Sequence, residues 1–211
     1  MASAIIHLAV AKEIEPYIKI KNKKDYYLGS IAPDMSKHVG KKKNMSHFLI
    51  PNTEIPDIEK FKIKYPKFYQ NDFDLGYYIH LFTDKIWTED FLPKLIKNNS
   101  VKLKNGNKIN LSKDELKKLI YQDYTNLNIK VIEKYNMDLS LFYEDFQIPN
   151  TKINEVPIDK LNILIDKMGI IIENSKQEKL YIFDTTLIYN FIEEVVEKLI
   201  EEIKDYELSY S

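Results

Sequence analysis

The chain has 211 residues, with 31 Lys and Arg against 32 Asp and Glu, and it contains no cysteine. This near balance of charge argues against a globally basic nucleic-acid-binding protein. Without cysteine, neither disulfides nor thiolate metal sites can form, so any bound metal must have nitrogen and oxygen ligands. The length is typical of one domain, and we predict a single helical domain over residues 1–211.

The N-terminal segment from Met1 to Ala11 is apolar but lacks the basic leader of a secretory signal. His7 interrupts the segment, and Lys12 and Glu13 follow it, so we interpret it as the first helix of the protein. No apolar run reaches the length of a membrane span. These features predict a cytoplasmic protein without a transmembrane segment.

Apolar residues recur with helical spacing through the first half of the chain. The pattern predicts four helices, at residues 3–19, 24–32, 57–70 and 72–97. Pro33 limits the second helix, because the residue before a proline is biased away from helix. The third helix is broken near Pro66, and Asp72 is predicted to cap the fourth.

Residues 34–56 are predicted to form a long irregular loop, and loops of this length in compact domains are often functional. The loop contains a basic cluster, which consists of Lys37, Lys41, Lys42 and Lys43. Such a cluster could attract a phosphate or an anionic lipid surface, but such runs are usually solvated loops, and we favour that interpretation.

The second half combines one hairpin signal with further helical patterns. Asn105-Gly106 lies between two short runs and predicts a small hairpin near residues 101–110. Ser112 and Glu115 form a capping-box pattern that opens a helix to about residue 135. Later helices are predicted at residues 138–146, 157–173 and 184–205. The predicted fold class is therefore all-α, with one small hairpin.

The segment from Gly76 to Trp87 contains the clearest functional signal. His80 and Asp84 are four residues apart on a predicted helix, so they share a face with the apolar residues around them. A histidine and a carboxylate in an apolar stripe need partners. Imidazole nitrogen and carboxylate oxygen are ligands for zinc, and also for iron or manganese. If His80 and Asp84 are considered without further ligands, a buried ion pair is the alternative to a metal site.

Four further residues adjoin apolar segments and are candidate ligands. His7 lies on the apolar face of the first helix, Asp34 ends the sequence Gly-Ser-Ile-Ala-Pro-Asp, and His47 lies in Ser-His-Phe. Asp123 falls within the apolar stripe of the helix that follows Ser112. A hydrogen bond from Asp123 to nearby backbone or to a tyrosine is the alternative reading.

Other conspicuous residues are assigned no role in a site. His38 is predicted to be a solvated loop residue, because it lies among lysines with no apolar face. Five aromatic residues could line a pocket, but aromatic residues on helices more often belong to the core, so we assign none of them a role in the site: Tyr77, Tyr78, Trp87, Tyr121 and Tyr124.

Taken in order, these motifs resemble the zinc-dependent phospholipase C family, which shares a helical superfamily with the S1/P1-type nucleases. The matching motifs are His7, Gly-x-Ile-Ala-Pro-Asp34, Ser-His47-Phe and Gly-Tyr-x-x-His80-Leu-x-Thr-Asp84-x-x-Trp87. The match is most specific at residues 76–87. A second segment, Asp123-Tyr-Thr-Asn126-Leu-Asn128, resembles one found in small intracellular members of the family.

The resemblance implies closely spaced metal ions in a cleft between helices. Asp34, His47, His80 and Asp84 would form the principal site, and His7 would belong to a second site with Asp84 bridging the ions. Secreted members use two later histidines and a glutamate for a third metal, but no histidine follows His80 in this sequence. Asp123 would supply part of a replacement. One or two zinc ions are therefore expected, with iron or manganese also accepted.

The function that the resemblance implies is metal-dependent hydrolysis of a phosphodiester or phosphomonoester by an activated water. Asp34 would act as general base or would bridge the metals. The expected partner is a phosphoester small molecule or a phospholipid headgroup. One alternative is a non-catalytic helical protein with a structural or vestigial metal site. An HD-type phosphohydrolase ranks lower, because the sequence has no adjacent His-Asp pair.

Overall fold

The computed structural model describes residues 1–40, 42–98 and 100–210, without the side chains of residues 205–210. The described chain is predominantly helical, as predicted. Its α-helices are α1 (Ala4–Ile14), α2 (Lys23–Ile31), α3 (Lys43–Ser46), α4 (Ile58–Lys64), α5 (Asp72–Ile86), α6 (Leu92–Leu95), α7 (Lys113–Lys134), α8 (Asn162–Glu173) and α9 (Thr185–Tyr210). None of these helices combines the length and the apolar composition that a membrane span requires.

One small antiparallel sheet lies between α6 and α7. It contains β1 (Ile96–Lys97), β2 (Ser100–Lys102) and β3 (Lys108–Asn110) in the order β1-β2-β3. Val101 pairs with Ile109 across β2 and β3, which confirms the hairpin that the Asn-Gly turn predicted. The central helix was predicted to extend to residue 97, and this was wrong, because residues 96 and 97 pair with β2 instead.

The ends of several helices differ from the sequence prediction. The N-cap of α5 is Asn71 rather than Asp72, since the Asn71 side chain accepts a hydrogen bond from the Asp74 backbone N–H. After α5 the chain continues as a π-helix (Trp87–Phe91) into α6. The capping box of Ser112 and Glu115 at the start of α7 is confirmed.

The segment predicted as an irregular loop contains helical structure. Residues Ala32–His38 form a 3₁₀-helix directly after α2, and α3 follows a few residues later. The helix predicted at residues 138–146 is reduced to a 3₁₀ segment, Ser140–Tyr143. The first of these differences affects function, because the 3₁₀-helix and α3 give residues 34 and 47 defined positions.

Helices α2 and α5 pack with their backbones in direct contact. A Cβ atom added to Gly29 would lie 2.0 Å from the Phe73 carbonyl oxygen, and one added to Gly76 would lie 2.0 Å from the Tyr26 carbonyl oxygen. Both positions therefore require glycine. Helix α1 also contacts α2 and α5. The three helices together bring their side chains into one buried region.

Candidate metal centre

Five of the predicted ligands meet in this buried region, and each is at most 4% exposed. They are contributed by α1, the 3₁₀-helix after α2, the C-terminal end of α3, and α5: His7, Asp34, His47, His80 and Asp84. They form two groups, one of His7, His80 and Asp84 and the other of Asp34, His47 and His80. Within each group the candidate ligand atoms lie within 4.8 Å of one another. His80 is common to both groups.

An unusual backbone conformation positions His47. The next residue, Phe48, has a φ of 52°, which is rare for a bulky side chain and costs about 1–3 kcal/mol. Phe48 packs edge-on against Phe61, with ring centroids 5.3 Å apart. The sharp turn therefore allows two consecutive residues to be buried in different places, His47 in the cluster and Phe48 in the core.

The hydrogen bonds of two histidines fix which ring nitrogen carries the proton. His80 Nδ1 lies 2.8 Å from the Ser30 carbonyl oxygen, and His47 Nδ1 lies 3.2 Å from the Lys43 carbonyl oxygen. A carbonyl oxygen can only accept, so we assign the proton to Nδ1 in each ring. The Ser46 hydroxyl, 2.9 Å from His47 Nδ1, is compatible with this assignment because a hydroxyl oxygen can also accept. Nε2 of each neutral ring then presents a lone pair, and these two Nε2 atoms face each other 3.3 Å apart.

Other buried polar atoms of the cluster have no hydrogen-bond partner in the described part of the chain. Asp84 Oδ2 has no hydrogen-bond partner among the described residues, and neither ring nitrogen of His7 has one. The His7 and His80 rings stack with centroids 3.7 Å apart. Buried polar atoms without partners are costly, and lone pairs that face one another repel. A cation among these atoms would remove both penalties.

The shortest spacings among the candidate ligand atoms fit a transition-metal ion, whereas His47 Nε2 lies 3.7 Å from Asp34 Oδ1 and 3.8 Å from Asp84 Oδ2. Tetrahedral zinc with bonds of about 2.0–2.1 Å places its ligand atoms roughly 3.3–3.4 Å apart. His80 Nε2 lies 3.3 Å from His47 Nε2 and 3.4 Å from Asp84 Oδ2. His7 Nε2 lies 3.4 Å from Asp84 Oδ1. The donor set of imidazoles and carboxylates suits zinc, and also iron or manganese.

The charges of the cluster also favour a cation. Burial lowers the pKa of His7 to about 4, so His7 is neutral at pH 7. Burial alone would raise the pKa of Asp34, but the Lys37 ammonium, 3.0 Å away, holds that pKa well below its usual range. Asp84 accepts a hydrogen bond from the Ala2 backbone N–H at 2.9 Å. The two carboxylates therefore leave net negative charge in the cluster.

Asp123 was predicted as a ligand, and the structure does not bring it to the cluster. It belongs to neither ligand group. Its carboxylate oxygens accept three backbone hydrogen bonds, of 2.7–2.9 Å, from Tyr181, Ile182 and Phe183. Asp123 therefore holds the segment before α9 against α7. Because these three donors occupy both of its carboxylate oxygens, we correct the prediction that Asp123 is a metal ligand.

We expect Asp123→Asn to lower stability while metal content stays unchanged. An amide retains one acceptor oxygen, so at least one backbone N–H loses its charged partner, at a cost of about 2 kcal/mol. Urea unfolding and metal analysis of the purified variant measure the two effects. Asp166→Asn, an exposed position on α8, is the matched control and should change neither. Loss of metal from Asp123→Asn would contradict the structural role.

A cavity of about 470 Å³ adjoins the cluster. Asp34 and Lys37 border it at the cluster end, and the N-terminal residues and α8 contribute further walls. One face of α7 lines the cavity with residues spaced three or four apart: Lys113, Leu116, Lys117, Ile120, Tyr121 and Tyr124. Asp34 therefore belongs both to the cluster and to the wall of the cavity.

Several residues of the cavity were not identified from the sequence. Trp87, Tyr121 and Tyr124 were assigned no role in a site, yet all three line the cavity. The helical spacing of the α7 residues indicates that they share one face of the helix. It does not show whether that face lines a cavity or packs in the core. The backbone groups of Ser30 and Ala2 that bond to the cluster carry no sequence signal.

The residues of the predicted basic cluster separate in the structure. Lys37 pairs with Asp34, Lys43 pairs with Glu54, and both line the cavity. Lys42 is exposed, and Lys41 lies outside the described residues. His38 is partly buried and belongs to neither ligand group.

Comparisons of the chain with profiles of known protein families, with curated proteins and with solved structures found no match. The resemblance to zinc-dependent phospholipases C therefore stays a prediction from the motifs.

Proposed function

We propose that this protein is a metal-dependent phosphoester hydrolase. The observation that carries the proposal is the position of Asp34, which connects the buried cluster with the cavity. Five side chains would hold the metal: His7, Asp34, His47, His80 and Asp84. A divalent cation bound there supplies a Lewis acid for a phosphoryl oxygen and lowers the pKa of a water. Zinc is the first choice, as one or two ions.

The residues of the cavity wall supply the remaining functions. Lys37 is half-exposed, so its ammonium can bind a phosphate oxygen at the cluster end of the cavity. Among the described residues that line the cavity, Asp34 is the one carboxylate. Its carboxylate is ionised at neutral pH, so one oxygen would hold the metal while the other would orient the attacking water and accept its proton.

A second candidate function is a structural metal site in a non-catalytic protein. The near-complete burial of the five ligands favours it, because structural sites are closed whereas catalytic sites keep a position for water or substrate. The cavity beside Asp34 favours the hydrolase. The two functions differ in turnover and not in metal content.

We expect the protein to hydrolyse an aryl phosphoester in a metal-dependent manner. The protein is stripped with a chelator, reloaded with Zn²⁺, Mn²⁺ or Fe²⁺, and assayed with 4-nitrophenyl phosphate and bis(4-nitrophenyl) phosphate. Hydrolysis should disappear on chelation and return with at least one metal. Stoichiometric metal without turnover by any of the three would instead establish the structural site.

A further inference from the structure

We propose that the cavity beside the cluster binds a phosphomonoester that carries an apolar chain or ring. That this compound is a substrate rests on the hydrolase function proposed above. That it binds in the cavity is a separate statement, which depends on the shape, the apolar surface and the charge of the cavity walls. A volume of about 470 Å³ is typical of pockets that hold one small organic molecule.

The first argument is apolar surface that faces the cavity. Tyr121 on α7 is 54% exposed and Ile170 on α8 is 45% exposed, and both line the cavity. Leu116 and Ile120 extend the same wall and are only partly buried. Large side chains that remain accessible inside a concave site gain free energy when an apolar group covers them. Inorganic phosphate alone would leave this wall uncovered.

The second argument is an excess of positive charge. Four lysines line the cavity with the single carboxylate of Asp34: Lys37, Lys43, Lys113 and Lys117. Within the described part of the chain, neither Lys113 nor Lys117 forms an ion pair. Lys117 Nζ instead lies 5.9 Å from the centre of the Tyr121 ring. These two ammonium groups are therefore available to an anion that enters the cavity.

The charge excess distinguishes two kinds of phosphoester. A phosphomonoester carries about −1.5 to −2 charge near neutral pH, whereas a phosphodiester carries one negative charge. Lys113 and Lys117, which lack an ion pair among the described residues, therefore favour the monoester together with Lys37. Its phosphate would bind among these lysines, and its apolar part would cover the apolar side chains of α7 and α8.

The test uses octyl phosphate as the probe and ethyl phosphate as its short-chain counterpart. Calorimetry measures both affinities on the metal-loaded protein. Octyl phosphate should bind at least about tenfold more tightly than ethyl phosphate, because only its chain covers the apolar wall. Dioctyl phosphate, a diester, should bind more weakly than octyl phosphate.

Two pairs of variants locate the binding site. Lys117→Glu should weaken octyl phosphate at least about tenfold, whereas Lys118→Glu, the exposed neighbour outside the cavity, should not. Ile170→Asn should weaken octyl phosphate but leave ethyl phosphate unchanged. Ile63→Asn, an 80% exposed position outside the cavity, should affect neither.

The outcomes separate this inference from the proposed function. Equal affinities for octyl and ethyl phosphate, or equal losses in Lys117→Glu and Lys118→Glu, would overturn the inference even if aryl phosphoesters are hydrolysed. Tight octyl phosphate binding without turnover would support the binding site and overturn the hydrolase. Vesicles that contain phosphatidate distinguish a lipid source from a soluble amphiphile, because only a lipid-directed site would cleave or retain them.

Discussion

Replacing His80 with alanine should remove metal from the protein and abolish phosphoester hydrolysis. His80 is the one residue that belongs to both ligand groups, so its loss affects every cation that the cluster could hold. Removing even an outer partner of a ligand lowers metal affinity about 10–100-fold, so the loss of His80 should exceed about 100-fold. Competition with a chromophoric chelator measures affinity, and elemental analysis measures content.

His38→Ala is the matched control, because His38 is partly buried but belongs to neither group. Its metal content and turnover should equal those of the unmodified protein. Circular dichroism separates loss of metal from loss of fold in His80→Ala, which leaves the Ser30 carbonyl without its donor. If His80→Ala keeps both its metal and its activity, His80 is not a ligand and the cluster has been misassigned.

The sequence could predict the part of the site that depends on local spacing. His80 and Asp84 share a helix face because they are four residues apart, and this pair is present as predicted. His7, Asp34 and His47 came from the order of motifs rather than from spacing. Their convergence depends on helix packing, which only the structure shows.

Asp123 shows where this reasoning fails. An inward carboxylate on a helix has the same sequence pattern whether it binds a metal or a backbone. Its three donors lie 58–60 residues later in the chain, in a segment with no motif. Only the tertiary structure shows that these backbone groups use both carboxylate oxygens.

In the fold, too, some elements depend on local sequence and others on tertiary contacts. The capping box before α7 and the Asn-Gly turn were predicted correctly, because each depends on a few adjacent residues. Strand β1 was missed, because its pairing with β2 overrides the helical pattern that leads into it. The 3₁₀-helix after α2 was missed because a proline followed by polar residues also indicates a loop.

Replacing Gly76 with alanine should destabilise the protein by at least about 3 kcal/mol and should lower its metal content. Adding atoms to a well-packed core usually destabilises a protein by about 1–3 kcal/mol, and we expect Gly76→Ala to reach the upper limit of this range or exceed it. The new Cβ would lie 2.0 Å from the Tyr26 carbonyl oxygen and 2.8 Å from the Ser30 backbone nitrogen. Backbone atoms cannot rotate away as a side chain can, so α2 and α5 must separate. That separation moves His80 relative to Asp34, which couples stability to metal binding.

Gly169→Ala provides a control with the same chemical change in a helix. The nearest atom to a Cβ at Gly169 is the Tyr143 hydroxyl, at an ordinary contact distance of 3.5 Å. Alanine is favoured over glycine within a helix by about 0.5–1 kcal/mol, so this variant should be as stable as the unmodified protein or slightly more so. Urea unfolding compares the two variants directly. Equal urea midpoints for the two variants would show that α2 and α5 tolerate a methyl group between them. That result would contradict the inference that close packing of these helices aligns the cluster.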